Sequence, residues 1–94
     1  MCARNWIGGG GELDLVVSRW RTLRVVEVRR RPTLAQAFAS VDRDKLNRTI
    51  ATAHALVRTY GLERYRLCFD VIAIADGGVL EWRRDLLRVG TPGR

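Results

Sequence analysis

The chain has 94 residues, the length of one small domain, which we expect to span residues 1–94. Its hydrophobic fraction of 47% is too high for a disordered chain, and no apolar run approaches the roughly 18 residues of a membrane helix. The 17 basic residues exceed the 10 acidic ones, and a net charge of +7 is typical of proteins that bind nucleic acid, although it also serves general solubility. Because no signal-peptide pattern opens the chain, we expect a cytoplasmic protein without membrane contact.

The first predicted elements are two short strands at residues 4–7 and 13–17, separated by four consecutive glycines at 8–11. A phosphate-binding loop of this composition would be followed by a helix, whereas a strand follows here. The glycines therefore predict a flexible turn or a bulge.

A second connection, at residues 18–22, leads to a strand at residues 23–30. Trp20 and Arg21 are poor residues for a tight two-residue turn, so we expect a somewhat longer loop. Pro32 ends the strand because proline has no N–H to donate to a sheet.

A helix is predicted over residues 41–60, with Ser40 as its N-cap and Gly61 as its C-cap signal. Residues 33–39 are either an extra helical turn or a loop. The apolar residues of the helix recur at spacings of four and three, which predicts one buried stripe. The stripe consists of Leu46, Ile50, Ala53, Val57 and Tyr60.

The last predicted elements are a strand at residues 65–75, a turn at 76–78, an edge strand at 79–83 and one helical turn at 85–89, with fraying at 91–94. Residues 71–75 are apolar on both faces, which is typical of a strand covered by helices on both sides. The order β-β-β-α-β-β predicts an α/β fold with a mixed sheet and one long helix.

Two acidic residues occupy the predicted hairpin. Asp14 and Glu27 lie opposite each other if the numbers of paired residues sum to an odd value near 41, and like charges in that position destabilise a hairpin. A divalent cation would offset this cost, and Mg²⁺ is held by one or two carboxylates. Glu12 shares the face of Asp14 and is either a further site residue or a solvated acid at the strand end.

The motifs of the chain, in order, resemble a known nuclease superfamily. Asp, a hairpin turn and Glu-x-Lys form the signature of the PD-(D/E)xK, restriction-endonuclease-like nucleases. Within it, the chain is similar to the YraN-like group of uncharacterised bacterial proteins, which are related to archaeal Holliday-junction resolvases. The matching stretches are ARNW at 3–6, GELDLV at 11–16, VVEVRRR at 25–31, V-x-x-x-K at 41–45 and R-x-x-FDVI at 66–72.

The resemblance implies a restriction-endonuclease-like fold and a Mg²⁺ or Mn²⁺ ion held by Asp14, Glu27 and the backbone carbonyl of Val28. We expect the family's N-terminal helix to be missing from this chain, and Arg29 stands where the family has lysine. Arginine grips phosphate but cannot act as a base. Lys45 is either the displaced site residue, as in some superfamily members, or a solvated helix cation. Because junction-cutting members are paired, we expect a homodimer.

Several other side chains are candidates for contact with nucleic acid. The predicted phosphate groove is lined by Arg4, Arg29, Arg31, Arg43 and Arg48. Each of Trp6, Trp20 and Trp82 either stacks on a base or packs in the protein. Asp70, in contrast, is predicted to be a structural acid paired with a nearby arginine.

Three functions remain compatible with the sequence. The first is a metal-dependent endonuclease or DNA-structure-binding protein that acts on the phosphodiester backbone. The second is a catalytically inactive nucleic-acid-binding module of the same fold, and the third is a structural interaction protein.

Overall fold

Five strands and two helices make up residues 2–89, the part of the chain that the computed structural model describes, residues 87–89 by backbone alone. The strands form one sheet in the order β1-β2-β3-β4-β5, in which only β3 and β4 are parallel. The two helices connect this parallel pair, which no short turn could join. The elements are β1 (Cys2–Gly8), β2 (Gly11–Arg19), β3 (Thr22–Arg30), α1 (Leu34–Ala39), α2 (Arg43–Tyr60), β4 (Arg66–Ile74) and β5 (Leu80–Val89), with a 3₁₀ turn at Asp76–Gly78.

The hydrophobic core lies between the sheet and α2. Its largest buried side chains are leucines and valines that alternate along the strands, together with one face of the helix. The cluster consists of Leu13, Val16, Leu23, Val25, Ala53, Leu56, Val57, Leu67 and Phe69. Helix α1 lies on the same side of the sheet as α2, because its Phe38 ring contacts the guanidinium of Arg83, which projects from that side of β5. Within residues 2–89, helices thus cover one face of the sheet, and for this part of the chain the expectation that they cover both faces of β4 is wrong.

The connection between β2 and β3 is tighter than predicted. Only Trp20 and Arg21 separate the strands, and both have positive φ, 53° and 58°. Positive φ at both central residues is the geometry of a type I′ turn, whose backbone twist matches that of the strands. The longer loop expected at residues 18–22 is therefore wrong, because hairpin twist prevails over residue preference here.

The start of the long helix also differs from the prediction. Asp42, and not Ser40, is the N-cap of α2, and its side chain accepts a hydrogen bond of 2.8 Å from the Lys45 N–H. Ser40 instead ends α1, a separate short helix that begins after the Thr33 N-cap. Both Ser and Asp are good caps, so the local sequence does not decide between them. Gly61 ends α2 with φ of 67°, as predicted.

A buried acid organises the sheet face opposite the helices. Asp70 accepts hydrogen bonds from Arg24 Nη1 at 3.1 Å, from Trp82 Nε1 at 3.1 Å and from the Asp85 N–H at 2.9 Å. Asp70 is therefore the structural acid that was predicted. The Asp85 bond requires a shift in the β4–β5 register, with φ of 54° at Asp85. The helical turn predicted at 85–89 is wrong because the strand continues through this irregularity; residues 91–94 lie outside the described part.

The architecture confirms the predicted fold class. A five-stranded mixed sheet with one long helix is an α/β fold and is consistent with that of the restriction-endonuclease-like nucleases. Within residues 2–89, neither helix combines the length and the apolar character that crossing a membrane requires.

Candidate functional site

The hairpin of β2 and β3 brings the two predicted acids together. The numbers of the paired residues sum to 41, as in Leu15 with Val26, so the predicted register is correct. The next pair in this register is Asp14 with Glu27. Asp14 Oδ2 also accepts a hydrogen bond of 3.0 Å from the Val28 N–H. On its other side, Asp14 faces a break in the β1–β2 pairing at Asn5, which has φ of 53°. Asp14 therefore lies beside an irregularity in the β1–β2 ladder, and its side chain is half-buried.

Glu27 is buried, with 3% of its surface exposed. Burial raises the pKa of Glu27, and repulsion from the neighbouring Asp14 carboxylate raises this pKa further. Lys45 and Arg29 act in the opposite direction without reversing the shift. Within the described residues, Glu27 Oε1 has no hydrogen-bond partner. A buried carboxylate oxygen without a partner is costly, and such a group calls for an explanation.

Two cations contact the other oxygen of Glu27. Arg29 Nη2 lies 3.2 Å and Lys45 Nζ lies 3.8 Å from Glu27 Oε2. Arg29 reaches it along β3, whereas Lys45 projects from the first turns of α2. Lys45 therefore pairs with Glu27 while 30% of its side chain stays exposed. The chain thus places a lysine next to the acid pair although the Glu-x-Lys motif itself has arginine.

A cleft of about 190 Å³ adjoins this group. One wall is the turn between β1 and β2, and the other is the side of α2 that carries Lys45 and Arg48. The turn packs so closely on the helix that a Cβ on Gly11 would collide with Thr52 Oγ1. The lining residues are Gly9, Gly10, Gly11, Glu12, Lys45, Arg48, Thr49, Ala51 and Thr52. Glu12 thus lies at the cleft, next to the acid pair in sequence.

The remaining candidates lie outside this cluster. Arg4 is exposed on β1, and Arg43 is exposed at the first residue of α2. Arg31 is exposed, and its Nη1 donates a hydrogen bond of 2.8 Å to the Arg30 carbonyl oxygen. Of the five arginines predicted to line a phosphate groove, Arg29 and Arg48 are the two that the fold brings to the acid pair and the cleft.

The residues present fit a hard divalent cation. Within the described residues, no group of three or more His, Cys, Asp or Glu side chains gathers at one place. Mg²⁺ does not require one, because it is commonly held by one or two carboxylates and completes its shell with waters and phosphate oxygens. The unpartnered oxygen of Glu27 beside Asp14 is the donor set that such an ion needs.

Sequence reasoning missed the cleft between the glycine turn and α2. The glycines form the turn that the sequence predicts, with φ of 55° at Gly9 and 81° at Gly10. The available signal was the pair Thr49 and Thr52, small polar residues on the helix face that meets the glycines. Two small-residue surfaces of this kind allow close approach of backbone to helix.

Comparison with known proteins identifies the family. A model of the Uncharacterised protein family UPF0102 matches residues 1–74. A UPF0102 protein of Methylorubrum populi is 40% identical over 82 residues, which are 87% of this chain and 62% of the relative. UPF0102 proteins of Saccharophagus degradans and Halorhodospira halophila are 41% and 43% identical, over 85% and 92% of this chain and 70% and 69% of the relatives. The chain therefore spans less than two thirds of the Methylorubrum relative. These matches confirm the resemblance to the YraN-like group, and the chain belongs to the Uncharacterised protein family UPF0102.

Proposed function

We propose that the protein is a metal-dependent nuclease that cleaves the phosphodiester backbone of DNA. The observation that carries this proposal is the buried Glu27 Oε1, which lacks a partner and lies beside the Asp14 carboxylate. A bound cation would complete this arrangement and offset the cost of burying the two carboxylates together.

The ion would be Mg²⁺ or Mn²⁺, held by Asp14, Glu27 and the backbone carbonyl of Val28. When bound, such an ion supplies an activated water and neutralises charge on the phosphate. The protein's own part is to hold the two carboxylates against each other, which the β2–β3 register does.

Lys45 is the residue we assign to orienting the attacking water. A lysine ammonium is compact and can exchange a proton, which a guanidinium cannot. Lys45 Nζ contacts the same Glu27 oxygen as Arg29 Nη2. We assign Arg29 to phosphate binding, because its planar guanidinium can donate two parallel hydrogen bonds to a pair of phosphate oxygens.

The cleft supplies a path for the nucleic-acid strand. Lys45 and Arg48 line it, and the glycine turn exposes backbone without side chains on the opposite wall. Such a groove accepts a phosphate backbone without reading its sequence. Glu12, at the same cleft, either contributes to the metal site or limits how far a phosphate enters.

The second candidate function is a nucleic-acid-binding module without catalysis. Arg29 in the position of the motif lysine favours it, because guanidinium stays protonated in proteins. The contact between Lys45 and Glu27 favours the nuclease instead.

The deciding experiment incubates the protein with duplex, single-stranded, flap and four-way DNA in Mn²⁺. We expect cleavage that EDTA abolishes and that falls by about 10²- to 10⁴-fold in Lys45→Ala, the range for loss of a proton-transfer group. Asp14→Asn should remove it altogether. Two matched controls, Arg43→Ala on the same helix and Asp76→Asn in an exposed turn, should cleave like the wild type. Binding of the DNA without cleavage in any metal would select the inactive module.

A further inference from the structure

The three tryptophans of the chain have different surroundings. Trp6 donates a hydrogen bond of 3.2 Å to Tyr60 Oη, and Trp82 donates one of 3.1 Å to the buried Asp70. These two rings are parts of the folded structure. Trp20, in contrast, is 84% exposed at the turn between β2 and β3, and its ring packs in no core. The sequence leaves open whether each tryptophan stacks on a base or packs in the protein. Of the three, Trp20 is the one whose ring is free to stack on a base.

The backbone at Trp20 is also unfavourable for this residue. Trp20 and Arg21 have φ of 53° and 58°, the left-handed region in which a Cβ meets the following carbonyl oxygen. Type I′ turns strongly prefer Asn-Gly at these two positions. The fold thus holds a bulky aromatic residue where stability favours a different one. Strained conformations that persist in this way cluster at functional positions.

Four arginines lie close to Trp20 along the chain or at the start of the neighbouring strand β4. Arg19 and Arg21 flank it in sequence, and the Arg21 carbonyl oxygen accepts a hydrogen bond of 2.8 Å from the Arg66 N–H, which brings the start of β4 alongside. Arg64 precedes it in the same connection, with Glu63 as the neighbouring acid. The four arginines are all exposed, and none forms an ion pair with an acid of residues 2–89. We call Arg19, Trp20, Arg21, Arg64 and Arg66 the hairpin tip.

We infer that the hairpin tip binds unpaired bases of a nucleic acid, with Trp20 stacked on a base and the arginines on the adjoining phosphates. An aromatic ring within a basic surface is the combination that single strands recognise, because every base has a face to stack and every nucleotide a phosphate. A duplex keeps its bases stacked on each other, so it offers the ring nothing comparable. The inference takes from the proposed function only that the ligand is a nucleic acid, and it does not require cleavage.

The separation between the hairpin tip and the acid pair can be estimated along β3. Thr22 starts β3 beside the tip, and Glu27 lies five residues further along the same strand. At about 3.3 Å per residue the separation is roughly 16 Å. Where the intervening DNA is duplex, that length corresponds to about five nucleotides, because each strand of a duplex advances 3.4 Å per nucleotide. We therefore expect the tip to engage unpaired bases about five nucleotides from the phosphate at the Asp14–Glu27 pair.

The first test measures binding without metal, so that cleavage plays no part. Fluorescence polarisation in EDTA at low salt compares a labelled 20-nucleotide oligo-dT, the corresponding oligo-rU and a duplex of equal length. We expect Trp20→Ala to weaken binding of both single strands by roughly ten-fold, within the range for one base–aromatic stack, and to change duplex binding by less than two-fold. Ile7→Ala, which removes another exposed apolar side chain, is the matched control and should bind as the wild type does.

A second variant separates binding from folding. Trp20→Asn places a residue that tolerates the left-handed region in this turn, so we expect its Tm to equal or exceed that of the wild type while single-strand affinity falls as in Trp20→Ala. Intrinsic fluorescence should be quenched by oligo-dT in the wild type, and much less in Trp20→Asn, which retains Trp6 and Trp82.

Two results would overturn the inference. One is single-strand affinity that stays unchanged in both Trp20 variants. The other is a lower Tm in Trp20→Asn, which would make the ring a structural element. If the variants instead altered self-association and left single-strand binding intact, the tip would be a protein contact and the assignment would be wrong. Metal-dependent cleavage measured alongside would show separately whether the nuclease proposal stands.

Discussion

At the scale of single residues, Glu27 is the side chain on which the account depends. The sequence predicted the pairing of Asp14 with Glu27, because alternation along two strands and a hairpin register near 41 are local patterns. It left the position of Lys45 open, since this contact joins the first turns of α2 to the middle of β3. A contact between elements distant in sequence depends on how the helix packs, which residue periodicity does not determine.

Replacing Glu27 with an uncharged isostere should stabilise the metal-free protein. The folded protein raises the pKa of Glu27, so it binds this proton more tightly than the unfolded chain does, and ionised Glu27 lowers stability. Stability should therefore fall as the pH rises from the ordinary glutamate pKa through the raised one, and Glu27→Gln should lack this fall. At neutral pH in EDTA we expect the Tm of Glu27→Gln to exceed that of the wild type. Calorimetry with Glu63→Gln, an exposed acid, as the control checks this; a lower Tm for Glu27→Gln would show that its ion pairs outweigh its burial.

At the scale of elements, the sequence predicted which segments are strands and helices better than how they begin and end. Ser40 and Asp42 are equally good caps in isolation, and only the separate helix α1, which ends at Ser40, assigns the cap to Asp42. The turn at Trp20 and Arg21 was mispredicted because residue preferences argue against it. The course of β5 through residues 85–89 depends on the Asp85 N–H reaching the buried Asp70, a long-range bond with no local signal.

The cap assignment predicts different costs for two similar substitutions. Asp42→Ala removes the side chain that accepts the Lys45 N–H, so it should lower the free energy of unfolding by about 1 kcal/mol. Ser40→Ala loses a hydroxyl that donates to the Ala37 carbonyl oxygen and should cost less. Urea unfolding of both variants provides the comparison. A larger loss of unfolding free energy for Ser40→Ala than for Asp42→Ala would contradict the assignment of Asp42 as the N-cap.

At the scale of the whole molecule, the net charge and the exposed apolar surface lead to expectations about DNA affinity and self-association. The net charge of +7 was readable from composition. Its distribution was not, because the fold brings some arginines to the acid pair, the cleft, the hairpin tip and the Asp70 cluster and leaves others, such as Arg4 and Arg43, apart from them. A charge total predicts a polyanionic ligand, whereas the position of each guanidinium determines which part of that ligand it meets.

Affinity for DNA should depend steeply on salt and little on sequence. Each phosphate neutralised by the protein contributes about 0.9 to the slope of log affinity against log salt concentration for duplex DNA. Arg48→Ala should reduce that slope by about one if the cleft carries the backbone. Polarisation titrations between low and moderate salt on two unrelated duplex sequences measure it. A slope near zero would remove nucleic acid as the ligand and favour a structural interaction protein.

The face of the sheet opposite the helices predicts self-association. Val28, Leu80 and Trp82 lie on this face and are 38%, 58% and 43% exposed. Apolar surface of this kind is typically covered by a partner, and a second copy of the chain is the partner that we expect. Light scattering should give a homodimer that Leu80→Asp weakens. A monomer at high protein concentration would count against this expectation.

The most direct test of the central claim is a titration of Mn²⁺ into the wild-type protein, followed by Tm at neutral pH. If Asp14 and Glu27 hold the ion, stability should rise with concentration as binding to the folded state requires, by about 2.7 kcal/mol when the free ion reaches a hundred times its dissociation constant. The same rise should occur in Asp76→Asn and be absent in Asp14→Asn and Glu27→Gln. An equal rise in the wild type and in Asp14→Asn, or no rise in either, would contradict a metal site at the acid pair.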